Sequence, residues 1–455
     1  MALRESLLEL IPDERRVSTS ESVLDQHAQD PSYHASHAPD AVVYPESTDE
    51  VTRVLAWANE QRVPVVAFGA GTSLEGHVIP VDGGVSLDLS RMDRVLEVRP
   101  ADLQAVVQPG VLRSALNAAA GEHGLWFPVD PGADATLGGM AATNASGTTT
   151  VRYGGMRANV LALEVVLADG TALRPGTRTV KTSAGFDLRS LFVGSEGTLG
   201  VITELTVRLW GLPEHVVAAR AAFPTLEAAC RTAVALVGAG VAAQRIELLD
   251  AATVGAVNAY KGTAYAERPS LFLEFAGGSE ASVAGDLKAA RELASWEGCD
   301  ELQEEREPAA RTRLWEARHH VLFALVHASP GKLHKSTDVC VPVSELPSAV
   351  AHARAQADAL GLDAAIVAHA GDGNYHVLFM LDPDDPRELD AADRLNAEIV
   401  GWALDRGGTC TGEHGVGLGK IAYLEREHGD LLPYLREVKR LFDPNGILNP
   451  GKVLA

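Results

Sequence analysis

The pattern of apolar residues and glycines changes near residue 215, and this change constrains the fold more than any other feature. Before it, short apolar runs alternate with glycine-rich loops, as at 63–71. After it, longer segments with apolar residues at helical spacing predominate, which predicts helices beside a few strands. Because 455 residues exceed the size of one ordinary core, we predict a mixed α/β domain followed by an α+β domain.

Individual elements follow from periodicity and from start and stop signals. We predict helices at 3–10, 48–59, 112–120, 226–237, 281–296, 312–327, 344–359, 389–405 and 431–442. We predict strands at 63–68, 85–89, 94–98, 103–108, 160–167, 201–209, 270–275 and 336–343.

Composition narrows the class of protein. A net charge of −22 argues against a nucleic-acid or anionic-membrane surface. No stretch approaches the ~20 apolar residues of a membrane helix, and charges interrupt residues 1–16, so membrane association would be peripheral at most. The four cysteines are far apart, as in a cytosolic protein with reduced thiols. We therefore expect a cytoplasmic protein, with at most peripheral attachment at the inner face of a membrane.

A hairpin is predicted at Asp372-Gly373, because this dipeptide suits a two-residue turn between apolar strands. With that turn, His369 lies directly opposite His376, and opposed residues share one face of the sheet. Two imidazoles so placed can bind one divalent metal, at about 2.1 Å from each nitrogen. A cross-strand histidine pair without a metal is the alternative.

A second cluster, at residues 412–417, strengthens the metal interpretation. It reads Gly-Glu-His-Gly-Val-Gly and places Glu413 beside His414. Two histidines and a glutamate are a common catalytic metal set that leaves a coordination position open for substrate. We therefore predict that His369, His376 and Glu413 bind one divalent metal.

Three glycine-rich loops lie in the first domain, at 68–76, 130–147 and 194–202. The first is not a Rossmann fingerprint, because Leu74 occupies the third glycine position and no helix can follow. Exposed backbone N–H groups in such loops still form anion sites, and small residues allow close approach of a ligand. A tight turn between strands explains one such loop equally well, but three together indicate a dinucleotide ligand.

These loops, with residues 153–157, resemble FAD-linked oxidases of the vanillyl-alcohol-oxidase type. The motif at 412–415 and the ending at 442–452 resemble the branch that contains D-lactate dehydrogenases and glycolate oxidase large subunits. The resemblance runs from about residue 40 onward. It implies a two-subdomain FAD-binding domain at 1–215, an α+β, ferredoxin-like cap at 216–410 and a C-terminal segment, 411–455, that completes the flavin site.

The resemblance also implies non-covalent FAD and the residues that contact it. These are Phe68, Gly69, Ala70, Gly71, Thr72, Ser73, Pro131, Gly132, Thr136, Gly138, Gly139, Ala142, Thr143, Asn144, Ser146, Gly147, Tyr153, Gly154, Glu196, Gly197, Gly200, Val201, Ile202 and Asn449.

The family oxidises D-2-hydroxy acids to 2-oxo acids, passing hydride to the flavin. By this resemblance His414 is the base, Arg318 binds the substrate carboxylate, and zinc or manganese occupies the metal site. Lys335 corresponds to a lysine of relatives that use dicarboxylates, but lies one position out of register. Leu378 stands where relatives acting on 2-hydroxyglutarate have asparagine, which favours a short or apolar acid such as D-lactate.

Several functions remain open at this point. The chain could pass electrons alone to a cytochrome, another acceptor protein or a quinone, or be the flavin subunit of a glycolate oxidase complex. A non-redox, ether-lipid-synthase-type flavoprotein and a flavin-free metallohydrolase are further alternatives. A homodimer is also compatible with the sequence.

Overall fold

The computed structural model describes residues 3–454, which divide into two compact units. The first unit contains the chain up to Ser146, Gly154–Leu212 and the chain from Glu413 onward. The second contains Gly147–Tyr153 and Pro213–Gly412. The sequence-based division had assigned residues 147–153 to the first domain, whereas in the structure they cluster with the second unit.

The strands of the first unit are short. They are β1 (Val17–Ser18), β2 (Ala41–Val43), β3 (Val65–Phe68), β4 (Val85–Asp88), β5 (Val95–Arg99), β6 (Gln104–Val107), β7 (Leu125–Trp126), β8 (Val160–Val166), β9 (Ala172–Leu173), β10 (Val201–Arg208) and β11 (Trp210–Gly211). The strands of the second unit are β12 (His215–Ala222), β13 (Ala243–Leu249), β14 (Ser270–Gly277), β15 (Glu301–Glu305), β16 (Leu333–Ser336), β17 (Val339–Cys340), β18 (Ala364–His369) and β19 (Asn374–Leu381).

Seventeen α-helices occur among the described residues. They are α1 (Leu3–Leu10), α2 (Glu21–Gln26), α3 (Thr48–Gln61), α4 (Arg113–Gly121), α5 (Leu137–Ala142), α6 (Thr150–Tyr153), α7 (Met156–Asn159), α8 (Leu188–Phe192), α9 (Leu226–Gly238), α10 (Ala251–Lys261), α11 (Glu280–Trp296), α12 (Pro308–His319), α13 (Val321–Ala328), α14 (Leu346–Leu360), α15 (Pro386–Leu404), α16 (Leu424–His428) and α17 (Leu432–Phe442).

Two main sheets form the first unit. One has the order β1-β2-β4-β3, with β2, β4 and β3 parallel, and the other has the antiparallel order β5-β6-β10-β8-β9. Helices α1 and α3 contribute Leu7 and Leu55 to the core of the first sheet. The C-terminal residues 447–449 run beside β3, since Val65 N donates to Ile447 O and Asn449 N donates to Val65 O.

One antiparallel sheet organises the second unit, in the order β15-β12-β14-β13-β18-β19-β16, with β17 also paired to β19. Helices α10, α12 and α13 cover one face through an apolar cluster that includes Val254, Leu314, Val321 and Leu378. This long-helix, antiparallel-sheet arrangement is the α+β class that the sequence predicted.

Most predicted elements are present, with two corrections. The predicted helix at 312–327 is two helices, because the chain leaves helical geometry at His320 between α12 and α13. The predicted strand at 336–343 is interrupted, because Thr337 and Asp338 use side chains as well as backbone to bond their neighbours. Strands β12, β13 and β15 and helix α10 had no counterpart in the prediction. Among the described residues, no helix has the length and apolar composition needed to span a bilayer.

Candidate active site

The three glycine-rich loops come together within the first unit. A Cβ on Gly69 of the first loop would lie 2.4 Å from Thr136 Oγ1 of the second loop. The third loop is tied to α5 of the second, because Gly194 N donates to Ala141 O at 2.9 Å and Glu196 N donates to Ala142 O at 2.8 Å. Backbone contacts therefore bring together loops that are far apart in sequence.

A cleft of about 440 Å³, counting space open to solvent, lies among these loops. Its lining includes ten of the residues expected to contact FAD, namely Phe68, Gly69, Thr136, Gly138, Gly139, Ala142, Gly197, Gly200, Val201 and Ile202. Ala67, Leu89, Pro109 and Ser195 also line it and were not predicted.

The glycines of this cleft are needed for space. A Cβ on Gly138 would lie 2.5 Å from Pro109 Cβ, and one on Gly200 would lie 2.5 Å from a methyl of Val165. Real Cβ atoms essentially never approach so closely, so larger residues would push the loops apart. A narrow, apolar, backbone-walled cleft suits a flat cofactor with an anionic linker, so the residues present fit FAD.

Asn449 and Glu196 connect the C-terminal segment to this region. Asn449 Nδ2 donates to His77 O at 3.1 Å and to Glu196 O at 2.7 Å. Both Asn449 and Glu196 have positive φ, at 41° and 55°. Such backbone costs energy in non-glycine residues and persists only where the surroundings fix it. Asn449 was identified from the resemblance, and these contacts give its position a physical basis.

The Glu196 carboxylate anchors the loop that carries His414. Val416 N and Gly417 N donate to its two oxygens at 2.7 and 2.8 Å, and His77 Nε2 lies 3.1 Å away. Burial alone would raise the pKa of this carboxyl, but the charge of His77 and these donors lower it. Glu196 is therefore an anion whose role in the first unit is to hold the 413–417 loop.

His414 and Glu413 are both largely buried in this loop. His414 Nδ1 lies 3.8 Å from Glu75 Oε1, and Glu413 Oε2 accepts a hydrogen bond from Ser146 Oγ at 3.3 Å. A Cβ on Gly415 would lie 2.6 Å from His77 Nε2, so glycine is required after His414. Ser146, expected to contact FAD, thus contacts the expected metal ligand.

Two residues expected to contact FAD, Gly147 and Tyr153, belong to the second unit. Gly147 N donates to Thr150 Oγ1 at 2.9 Å, and Tyr153 Oη donates to Gln244 Oε1 at 3.1 Å. Their expected FAD contacts stay predictions.

The register predicted for the histidine hairpin is wrong. His369 is opposite Asn374, and His376 is opposite Val367, so the connection is the four residues 370–373 instead of Asp372-Gly373 alone. Ala370 N donates to Ile246 O on β13, which keeps this residue out of the hairpin ladder. Because the register differs by an even number of residues, both imidazoles still share a face. Their ring centroids are 5.7 Å apart, with perpendicular planes.

Both imidazoles are held through Nδ1. His369 Nδ1 donates to Glu247 Oε1 at 2.8 Å, and His376 Nδ1 donates to Thr337 O at 3.0 Å. In a neutral imidazole the proton on Nδ1 puts the lone pair on Nε2, which is the tautomer a metal needs. The donor chemistry of this pair therefore fits a divalent metal.

Glu247, which the sequence analysis missed, lies between His369 and Arg318. Its Oε2 is 2.6 Å from Arg318 Nη2, while Oε1 accepts from His369. Glu247 is 1% exposed and Arg318 is 9% exposed. The Nε of Arg318 is buried with no hydrogen-bond partner among the described residues. Buried polar donors are normally paired, so this N–H marks a place for a ligand acceptor.

Lys335 is not brought to the histidines. It is paired with Phe379 across β16 and β19, whereas His376 and Leu378 point to the other face. Its ammonium forms an ion pair with Asp393 of α15 instead. Strand alternation therefore directs the Lys335 side chain away from the face that carries His376, and its expected catalytic role stays a prediction.

Asp338, also missed from the sequence, holds the end of the second unit beside the histidines. Its Oδ1 accepts from Asn374 Nδ2 at 2.8 Å, and its Oδ2 accepts from Thr411 Oγ1 and from Gly412 N. A Cβ on Gly412 would lie 2.1 Å from Asn374 Nδ2, so only glycine fits there. Glu413 is the next residue along the chain, about 3.8 Å from Gly412 between Cα atoms.

Comparison with known proteins identifies the family of the chain. A family model described as "FAD binding domain" matches residues 39–176, and one described as "FAD linked oxidases, C-terminal domain" matches residues 212–453. A probable mitochondrial D-lactate dehydrogenase of Danio rerio is 45% identical over 96% of this chain and 89% of its own length. The mitochondrial D-lactate dehydrogenase [cytochrome] of Arabidopsis thaliana is 43% identical, over 93% and 75%. Glycolate oxidase subunit GlcD of Bacillus subtilis is 36% identical, over 92% and 89%.

Solved structures support the fold. p-Cresol methylhydroxylase matches with a TM-score of 0.81 at 18% identity, over 98% of this chain and 95% of its own. The 4-ethylphenol oxidase of Gulosibacter chungangensis matches with a TM-score of 0.80 at 20% identity, over 99% and 97%. The expected vanillyl-alcohol-oxidase-type fold is confirmed, and so is the expectation of an FAD-dependent enzyme. The chain belongs to the FAD-linked oxidases.

Proposed function

We propose that this protein oxidises a D-2-hydroxy acid, with D-lactate as the preferred substrate, to the corresponding 2-oxo acid. The observation that carries the proposal is the polar group on one face of the second unit's sheet. Two Nδ1-anchored imidazoles lie on that face, and Arg318 of α12 reaches it through Glu247, with a buried Nε–H that has no partner among the described residues. The names of the D-lactate dehydrogenases that it resembles support the choice of substrate.

Arg318 binds the substrate carboxylate in this proposal. Glu247 holds one nitrogen of the guanidinium, and the unpaired Nε–H on the same edge is available to a carboxylate oxygen. Charge-assisted hydrogen bonds of this kind are shorter and stronger than neutral ones and fix orientation. The carboxylate of the substrate is thereby fixed while its Cα–H and hydroxyl react.

His369, His376 and Glu413 hold one divalent metal, zinc or manganese. Such an ion, when bound, polarises the hydroxyl oxygen of the substrate and makes its proton easier to remove. The tautomers of His369 and His376, fixed through Nδ1, prepare their Nε2 atoms for this role. Asp338 supports the set by holding Gly412, the residue before Glu413.

His414 accepts the hydroxyl proton. Its loop is fixed by backbone N–H donation to Glu196, so the imidazole is positioned by contacts within the first unit. FAD, non-covalently bound by the glycine loops and Asn449, supplies the acceptor for the hydride that leaves Cα. The substrate thus loses one hydride and one proton. The electrons pass on to a cytochrome, another acceptor protein or a quinone.

A short substrate is favoured by the packing around Leu378. This residue is 8% exposed and belongs to the apolar cluster under α12 and α13, together with Val367 and Met380. A second carboxylate placed there would be desolvated without a partner, which is costly. The end of the substrate beyond Cα is therefore small or apolar.

The test is anaerobic bleaching of the bound flavin by separate D- and L-hydroxy acids. We expect D-lactate to reduce the flavin fastest, D-2-hydroxyglutarate slowly, and L-lactate hardly at all. Preference for glycolate with no D-lactate reaction would favour a glycolate oxidase subunit instead. Absence of reduction by every acid would contradict the proposal. Acid precipitation should release FAD, since no covalent bond is proposed.

A further inference from the structure

The Glu247 carboxylate contacts two of the side chains to which the proposed function gives separate tasks. It lies on β13, directly across from His369 on β18, in a strand that the sequence pattern did not reveal. It is the partner of two groups with different tasks, the proposed metal ligand His369 and the proposed substrate ligand Arg318. These two groups come from different elements, β18 and α12.

We propose that Glu247 is a shared positioning residue that fixes the metal-binding tautomer of His369 and the orientation of the Arg318 guanidinium at once. This inference rests on the proposed function. Each oxygen of Glu247 serves one partner, with Oε1 at 2.8 Å from His369 Nδ1 and Oε2 at 2.6 Å from Arg318 Nη2. One buried anion therefore links metal binding to substrate binding.

A purely structural ion pair would not need to contact both a proposed metal ligand and a proposed substrate ligand. Glu274 on the neighbouring strand β14 is such a pair: it is 5% exposed and accepts from Arg245 Nη1 at 3.0 Å and from Gln244 Nε2 at 2.8 Å. Glu274 and Glu247 lie on the same face of the sheet. The residues that donate to Glu274, Arg245 and Gln244, are neither proposed metal ligands nor proposed substrate ligands. Glu274 is therefore the matched control.

With glutamine in place of Glu247, a single acceptor oxygen must serve either His369 Nδ1 or the Arg318 guanidinium. A carboxylate has two acceptor oxygens, whereas an amide has one acceptor and one donor group. If the amide oxygen faces His369, its NH₂ faces the N–H donors of Arg318. If it faces Arg318, the NH₂ group faces His369 Nδ1 and moves the imidazole proton to Nε2, where it blocks metal binding. Glu247→Gln must therefore impair at least one partner, whereas Glu247→Asp keeps both acceptors on a shorter side chain.

The experiment compares the parent with Glu247→Gln, Glu247→Asp and Glu274→Gln, all loaded with FAD. Affinity for Zn²⁺ and for Mn²⁺ is measured by competition with a chromophoric chelator, without substrate. The KM for D-lactate is measured separately at saturating metal. We expect Glu247→Gln to lose roughly 10- to 100-fold in metal affinity, as when the partner of a ligating histidine is removed, and to raise KM. Glu247→Asp should recover part of both losses, and Glu274→Gln should match the parent.

Two results separate the inference from the proposed function. A parent protein that binds neither Zn²⁺ nor Mn²⁺ would overturn the proposed metal site itself. A parent that binds metal, with a Glu247→Gln variant of equal metal affinity and equal KM, would overturn the role of Glu247 alone. A variant that is only less heat-stable, with both binding constants unchanged, would also overturn it, since that is the behaviour of a structural ion pair.

Discussion

The two units build their ligand-binding regions from different parts of the chain. In the first unit the cleft is walled by backbone and small residues, with glycines whose missing side chains make room, as at Gly138 and Gly200. In the second unit the polar region consists of long side chains from one face of the sheet and from α12, where Glu247 contacts both His369 and Arg318. The first region depends on the space that small residues leave, whereas the second depends on contacts between charged and polar side chains.

This difference predicts how each region fails. Adding atoms should damage the first region, because a Cβ at Gly138 meets Pro109. Removing or neutralising atoms should damage the second, because breaking a buried ion pair leaves an uncompensated charge, at a cost of about 3–5 kcal/mol. Variants of the two regions should therefore lose different ligands.

The largest effect is expected from His414→Ala, in the 413–417 loop of the first unit. Loss of a positioned base should lower kcat by roughly 10²–10⁴-fold. FAD content and metal content should stay near those of the parent, because neither is assigned to this imidazole. The parent and the variant should also differ in how single-turnover flavin reduction changes with pH, because a group that accepts a proton contributes to that profile.

His428→Ala is the matched control, since His428 lies in the same C-terminal segment but is only half-buried and forms an ion pair with Glu427. It should behave as the parent does. If His414→Ala reduces its flavin at the parent rate and with the same pH profile, His414 is not the base.

The next effect is that of His376→Ala, which removes a proposed metal ligand from the second unit. Turnover should fall on the order of 10³-fold, because metal polarisation of the substrate oxygen is worth several kcal/mol. Elemental analysis should show metal loss with normal FAD content. His352→Ala, on α14 and stacked against Trp402, should retain both. Unchanged metal content in His376→Ala would contradict the assignment of this ligand.

The same contrast explains what the sequence could predict. The glycine loops were identified because small residues at close spacing are visible along the chain, and ten of their predicted residues line one cleft. The register of the His369 hairpin was predicted wrongly, because contacts of residues 370 and 371 with Ile246, on a strand far away in sequence, lengthen the turn. Local turn preference cannot include such a partner.

Glu247 shows the same limit more clearly. It is 122 residues from His369 in sequence, and its strand, Ala243–Leu249, mixes charged and apolar residues without a strong alternation. Its role depends on pairing between β13 and β18, which no local pattern encodes. The position of Lys335 was not foreseen for a related reason, since one step along a strand moves a side chain to the other face of the sheet.

Lys452 is, like Glu196, a buried charged residue of the first unit. Its ammonium donates to Ile79 O at 2.6 Å. Burial lowers the pKa of Lys452 from 10.5 to about 8, although the negative charges of Asp82, Asp30 and Glu196 act to raise it. A lowered folded-state pKa means that the unfolded chain binds more protons between about pH 8 and 10.5. Stability should therefore rise with pH across this window, by up to about 3 kcal/mol.

Lys452→Met removes this titration. In chemical denaturation the parent should gain stability relative to Lys452→Met between pH 7 and pH 10, while other titrations cancel in the difference. Lys181→Met, at an exposed lysine of the same unit, should show no such pH-dependent difference. A constant difference between parent and Lys452→Met at both pH values would mean that Lys452 is not desolvated.

The smallest effect is that of Gly138→Ala, which adds one methyl group to the first region. The new Cβ would lie 2.5 Å from Pro109 Cβ and 3.0 Å from the carbonyl oxygen of the same proline, so α5 must move away from one wall of the cleft. Overpacking of this kind costs about 1–3 kcal/mol of folding free energy. FAD needs the wall in its original position, so its affinity should weaken by at most roughly 150-fold, which is the upper end of that cost expressed as a dissociation constant. Fluorescence titration of the flavin-free protein with FAD measures this affinity. Gly121→Ala is the control, since a Cβ there would meet no atom within 4 Å among the described residues, apart from its chain neighbours and its own helix backbone. Gly138→Ala should keep the metal affinity of the parent, because His369 and His376 are held by bonds within the second unit and Glu413 is not part of the cleft lining. A Gly138→Ala variant that binds FAD as the parent does, or that loses metal along with FAD, would contradict the separation of the two regions into one governed by shape and one governed by charge.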